Sequence, residues 1–248
     1  MYKICLMFLF RCCQIIAFSI LVSSCSPVLY APTTQNVPLL KEKGEVNIGG
    51  GYSNTDSGEG ISLNFAVAID SSWAVAGGFN SLGGGEKNSA DSWRTTGNYF
   101  EAAAGKFGSS SLGPWVYEAF LGLGYGAINN EINNDYVDAK FLKPYLQPTF
   151  GLRTKHVDLV VTPRLAVVNY ISESIRIDQP QNEGEVINFF DEKGTSFVFE
   201  PGATLRLGIR NVKLQLQYVY SSFSYDSGDG DEPFDSEMFT LGLNFYPK

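Results

Sequence analysis

The sequence predicts an all-β fold, an antiparallel up-and-down transmembrane β-barrel of about ten strands with eight as the alternative, and three observations predict it. From Gly44 to Tyr246 the chain falls into segments that alternate apolar and polar side chains. The connectors between them switch between very short and long, and the alternation keeps phase across the tightest turns. In the last segment Phe239, Leu241, Leu243 and Phe245 share one face while Met238, Thr240, Gly242 and Asn244 share the other, the period of two that a strand requires.

Residues 1–24 read as a targeting leader, because Lys3 and Arg11 supply positive charge, an apolar run covers Ile15 to Val22, and small residues lead up to Cys25. Arg11 interrupts the apolar stretch, so Met7 is an alternative start. Leu21-Val22-Ser23-Ser24-Cys25 resembles the lipobox of bacterial lipoproteins. That resemblance implies a diacylated Cys25 thiol, cleavage before it, and a fatty acid such as palmitate on the new amino terminus; an ordinary signal peptide is the alternative. All four cysteines (Cys5, Cys12, Cys13, Cys25) lie at or before this point, so the rest of the chain holds no disulfide framework and no thiolate metal site. Residues 25–43, with Pro27, Pro32 and Pro38 and no periodicity, read as a lipidated tether, and 44–248 as one barrel domain.

Strands are expected at 45–54, 59–69, 72–81, 94–107, 114–127, 139–153, 157–170, 195–208, 212–223 and 237–246. Asp70-Ser71-Ser72, Thr154-Lys155 and Arg210-Asn211 form short connectors, whereas 82–93, 128–138, 171–194 and 224–236 are long and polar. Short turns at one end and long loops at the other put both termini on the short-turn side, with Cys25 in the inner leaflet. A two-residue turn at Arg210-Asn211 pairs Ile209 with Val212, Leu207 with Leu214 and Leu205 with Leu216. The same construction at Thr154-Lys155 pairs Leu152 with Val157 and Phe150 with Leu159.

Alternation does not say which face looks outward, and a soluble lipocalin-like barrel is the rival. The less bulky face carries Gly49, Gly51, Ala66, Ala68, Ala74, Ala76, Gly78, Gly122, Gly124 and Gly126, which suits a crowded interior; a water-exposed outside would be rich in mixed charges. The other face offers Ile61, Leu63, Phe65, Val67 and Ile69 by twos, with Trp73, Trp115, Tyr117, Tyr218 and Tyr220 near strand ends, the heights that membrane interfaces favour. Charges in the inward phase are Glu101, Glu118, Arg153, Asp158, Arg164, Glu200, Arg206 and Lys213. Arg164 and Glu200 fall at similar heights and are expected to pair, and Arg153 and Asp158 to be diagonal neighbours. Such a lumen holds either a polar plug or a narrow pore.

Net charge −8 disfavours a nucleic-acid partner. The loop Ser172 to Gly194 mixes acidic and apolar residues and is read as able to extend its hairpin beyond the membrane. The last loop places Asp226, Asp229, Asp231 and Asp235 among glycines, weak Ca²⁺ ligand candidates without the EF-hand order; the plainer reading is a solvated acidic loop facing lipopolysaccharide. No catalytic residue and no cofactor is expected. His156 sits in a short turn and no Gly-x-Ser-x-Gly elbow is present; a paired-carboxylate site among Glu101, Glu118 and Glu200 is the enzymatic alternative, and Arg164 more simply neutralises Glu200.

Together the chain resembles the small outer-membrane β-barrel proteins of Gram-negative bacteria, with a lipoprotein leader in front. The stretch Asn36-Val37-Pro38-Leu39-Leu40 to Lys43-Gly44-Glu45 looks like a recurring entry to such barrels. The resemblance implies an outer-membrane location, outer-membrane lipid and lipopolysaccharide as surroundings, and outer loops able to meet envelope proteins. A structural or surface-interaction role is expected, with a narrow pore and a lipid-modifying enzyme as alternatives.

Overall fold

Strands that bury small side chains on one face and expose large apolar ones on the other can satisfy every backbone group only by closing on themselves. The computed structural model does this. It describes residues 28–87, 92–111, 113–132, 135–176, 194–209, 211–224 and 234–247, with backbone alone for 86, 87 and 132. Its strands are β1 (Val46–Thr55), β2 (Gly58–Ala68), β3 (Trp73–Lys87), β4 (Ser92–Ser109), β5 (Trp115–Ile132), β6 (Asp135–Arg153), β7 (Val157–Arg176), β8 (Thr195–Ile209), β9 (Val212–Tyr220), β10 (Ser222–Phe223) and β11 (Glu237–Phe245). Each pairs antiparallel with its sequence neighbour from β1 to β9, and β11 joins β9 to β1. The result is a closed barrel of ten strands, with β10 a short continuation of β9 that pairs with β8.

Register at Arg210-Asn211 is as expected: Ile209 faces Val212, Leu207 faces Leu214 and Leu205 faces Leu216. At the β6–β7 turn it differs by two residues, because Leu152 faces Leu159 and Phe150 faces Val161. The turn takes in His156 and Val157 as well, and Thr154 Oγ1 donates to the Val157 carbonyl at 2.6 Å while the Val157 amide donates to Thr154 Oγ1 at 3.0 Å. A shift of two leaves every side chain on its expected face, so the pattern could not detect it. Between Lys140 and Phe141 the ladder shifts register, Phe141 facing Tyr170 and Lys140 facing Ser172, so that Ile171 is the extra residue of a bulge.

Two of the expected long connectors are mostly strand. β3 and β4 stay paired up to Lys87 and Ser92, and β5 and β6 up to Ile132 and Asp135. Polarity in 82–93 and 128–138 marks departure from lipid, not departure from the ladder. Residues 177–193 and 225–233, and with them most of the two remaining loops, lie outside the described residues, as do the leader and Cys25.

Side chains sort as a lipid-facing wall demands. Leu63 is 60% exposed, Leu121 69% and Leu243 60%, while Ser62, Asn64, Ala66 and Ala68 on the opposite face are buried. Trp73, Trp115, Tyr117, Tyr218 and Tyr220 all point outward near strand ends. On β5, Cβ atoms at Gly122, Gly124 and Gly126 would overlap the rings of Tyr145, Tyr99 and Phe141, so these glycines make the space in which inward aromatics lie.

Candidate functional site

The stretch read as a tether runs through the barrel interior. Between Val28 and Leu40 every residue is buried, with Leu29, Tyr30, Leu39 and Leu40 wholly so. Its composition explains the fit. Val28, Leu29 and Tyr30 at one end and Val37, Leu39 and Leu40 at the other flank the polar run Thr33-Thr34-Gln35-Asn36. Leu29 and Tyr30 pack among Tyr99, Phe141, Tyr145, Val168, Tyr170 and Val198. Leu40 packs on Ala66, Ala68, Ala74, Phe107 and Phe120, and Val37 and Leu39 on Val116 and Val160. Fully burying such a side chain contributes about 1.5–3 kcal/mol.

A backbone taken out of water must find partners, and the inner wall supplies them with side chains. Asn130 accepts from the Val28 amide at 3.1 Å and donates to the Val28 carbonyl at 2.9 Å. Gln217 does the same for Gln35, accepting at 2.8 Å and donating at 3.1 Å. Gln147 donates to the Asn36 carbonyl at 2.6 Å, Arg206 to Val37 at 2.6 Å and Arg153 to Leu39 at 2.8 Å, while Glu118 accepts from the Leu40 amide at 2.7 Å. Pro32 and Pro38 have no amide to satisfy, which is the physical use of prolines here. Leu39 has a left-handed backbone (φ 54°), and Gly44 (φ 79°) permits the reversal by which the chain leaves the interior and turns back into β1.

All eight expected lumen charges point inward, but most meet the inserted segment or residues that were not expected. Arg164 and Glu200 do face each other across β7 and β8, at 3.9 Å. Arg164 lies nearer Glu101, at 3.3 Å, and donates to Gln147 Oε1 at 2.5 Å from Nη2, with its guanidinium over the Tyr145 ring. Glu200 is held by Lys143 at 2.8 Å and accepts the Tyr30 hydroxyl at 2.5 Å; Lys143 in turn donates to that hydroxyl. The expectation of diagonal contact between Arg153 and Asp158 is corrected: they are directly opposite and bond elsewhere. Arg153 pairs with Glu45 at 2.5 Å, and Asp158 with Lys213 at 2.5 Å, because Glu45, just ahead of β1, and Lys213, on β9, approach from outside the β6–β7 hairpin.

Lys143 has the same parity as Arg153 and was legible on that ground. Tyr30, Gln35 and Asn36 carried no periodic signal. Beside the segment, Ala31, Pro32, Thr33, Tyr99 and Phe141 help line a pocket of about 40 Å³, room for only a few waters.

The segment has a direction. Leu39 and Lys41 bond Arg153 beside the β6–β7 turn, so the Lys43 end is at the short turns. Tyr30 makes a parallel bridge with Phe234 and Val28 meets Asn130, both at the opposite end. The expectation that both termini leave on the short-turn side therefore holds for Tyr246, whose amide bonds Asn211, and fails for the described N-terminal end.

The Ca²⁺ candidates are not brought together. Asp226, Asp229 and Asp231 lie outside the described residues, and Asp235 is buried, accepting both the amide (3.2 Å) and the hydroxyl of Ser57. Among the described residues no group of three acidic, His or Cys side chains could hold a metal. His156 is exposed in its turn, with Nδ1 3.1 Å from the Gly208 carbonyl.

A closed ladder of an even number of strands, a continuous apolar exterior and a polar, occupied interior define a transmembrane β-barrel of the outer-membrane kind. No family model matches the chain, and no curated protein does. Among solved structures it is similar to Ail, the attachment invasion locus protein of Yersinia pestis, with 14% identity and a TM-score of 0.38 over 83% of this chain and 99% of that one. It is also similar to the translocator domain of the autotransporter NalP from Neisseria meningitidis, with 9% identity and a TM-score of 0.43 over 83% and 90%. A major outer membrane protein from Thermus thermophilus gives 10% identity and a TM-score of 0.42 over 83% and 100%.

Proposed function

We propose that the protein is a lipid-anchored outer-membrane barrel with a closed lumen, serving a structural or surface-interaction role through its outer loops rather than transport or catalysis. The observation that carries this reading is the segment from Val28 to Leu40, buried along its whole length and hydrogen-bonded to the wall at both ends. A solute would have to displace a chain whose peptide groups bond Asn130, Gln217, Gln147, Arg206, Arg153 and Glu118. The carboxylates offered for an enzymatic site are engaged in the same way: Glu118 with Leu40, Glu101 with Arg164, Glu200 with Lys143 and Tyr30. That engagement supports a binding scaffold over a hydrolase. Lipid and lipopolysaccharide are the surroundings proposed for the wall, and an envelope protein the partner proposed for the loops.

The test is electrical. Purified full-length protein in a planar bilayer gives no discrete conductance steps, and a variant lacking residues 28–43 gives them. Steps from the full-length protein would favour the narrow pore. Altered lipid A in a host that expresses the protein would favour the enzyme.

A further inference from the structure

The interior segment places Val28, the first described residue, toward one end of the barrel. The outward residues of β5 and β6 pass from Tyr125 and Leu142, which face each other, to Asn129, Glu131, Lys140 and Asp138 nearer the loop end. This change marks the upper rim of the apolar wall. Val28 bonds Asn130, which lies five residues beyond Tyr125, about 17 Å farther along the strand. Val28 is therefore already above the lipid-facing band on the loop side, whereas Lys41 is below it, beside Arg153.

Only three peptide links separate Val28 from Cys25, and a fully extended chain covers at most about 3.6 Å per residue, roughly 11 Å in all. The hydrocarbon core is about 30 Å thick. A Cys25 at the short-turn leaflet would require Val28, Leu29 and Tyr30 to leave their places in the barrel interior. We infer that the N-terminal end leaves the barrel at its outer mouth, so that acyl chains on Cys25 enter the outer leaflet and the protein is tethered to the cell surface from outside. This rests on the lipid-anchor reading for the acyl group, but the path of the chain does not depend on it. The partner implied is a lipid surface beside the loops, and a protein docking there would meet the lipidated end and the loops together.

The path and the anchor are tested separately in whole cells. Ser26→Cys, and independently Pro27→Cys, in the full chain is treated with a membrane-impermeant maleimide before and after permeabilisation. Glu131→Cys marks the outside and Lys155→Cys the inside; heat-modifiable gel mobility selects folded protein. The expected result is that both N-terminal variants label in intact cells as fully as after permeabilisation, like Glu131→Cys, whereas Lys155→Cys labels severalfold more once cells are opened. Labelling of both variants only after permeabilisation would overturn the inference. Metabolic labelling with an alkyne fatty acid, comparing the native chain with Cys25→Ser, reports on the anchor alone. Surface labelling without acylation keeps the path and removes the anchor; acylation with protected N-terminal positions removes the path and keeps the anchor.

Discussion

The outside of the wall and the space inside it obey different rules. Outward residues see one uniform solvent, so each needs only to be apolar, and Leu63, Leu121 or Leu243 meets that need whatever its neighbours are. Inward residues have individual partners: Glu200 needs Lys143 and Tyr30, and Gln217 needs the Gln35 backbone. Substitutions should therefore be tolerated outside by class and inside only by pair.

The largest effect sought is on the inner pair. Glu200→Gln leaves Lys143 buried with its charge uncompensated, and breaking a buried pair from one side costs about 3–5 kcal/mol, read as a lowered urea midpoint in detergent. Adding Lys143→Met should cost less than the sum of the two single changes, and additivity would show that they do not act as a pair. On the outer face Leu63→Arg, near mid-wall, should cost about 2–4 kcal/mol in refolding into lipid vesicles, whereas Leu63→Met should be nearly silent. If Leu63→Met were as damaging as Leu63→Arg, the outside would be paired too and the contrast would fail.

Tyr30→Phe keeps the ring among Phe141 and Phe223 and removes only the hydroxyl that Glu200 accepts, so about 1.5–3 kcal/mol is expected by the same urea titration. The smallest effect concerns pH at the loop end. Burial pushes the Asp235 carboxyl above the ordinary aspartate range, Asp56 pushes the same way, and the hydrogen bonds from Ser57 and Thr55 oppose them. Since the folded state holds that proton more tightly than the unfolded one, the contribution is present at low pH and is lost as pH rises from the ordinary aspartate value through the raised one. Protection from hydrogen exchange at Phe234 to Ser236, taken relative to the unfolded chain at each pH, should fall over that window, and Asp235→Asn should remove the fall.

This contrast also explains what could be read from the sequence. The wall was legible because period-two alternation is a local property: Ile61 to Ile69 announces its face without knowing which strand lies beside it. The Arg210-Asn211 register was legible for the same reason, and the β6–β7 register was missed only by an even number of residues, to which alternation is blind. The eight inner charges were legible by parity, and so was Arg164 facing Glu200, but most of their partners were not. Arg206 bonds Val37 and Glu118 bonds Leu40, contacts made by a segment with no periodicity because its sides face many different strands rather than two solvents. Prolines and a polar Thr-Thr-Gln-Asn run look alike in a loose tether and in a chain that needs few donors and many side-chain partners.

Everything rests on residues 28–40 lying within the barrel, and a disulfide reports that directly. Thr34 Oγ1 and Thr240 Oγ1 are 3.2 Å apart, on the segment and on β11, so the paired change Thr34→Cys with Thr240→Cys places two sulfurs within bonding reach. Mild oxidation of the folded protein should give a reducible, faster-migrating monomer with the mass of an intrachain disulfide, and Thr34→Cys with Phe239→Cys, which points to lipid, should not. Two free thiols after oxidation, with the one introduced on the segment open to an impermeant maleimide in the folded barrel, would contradict the account.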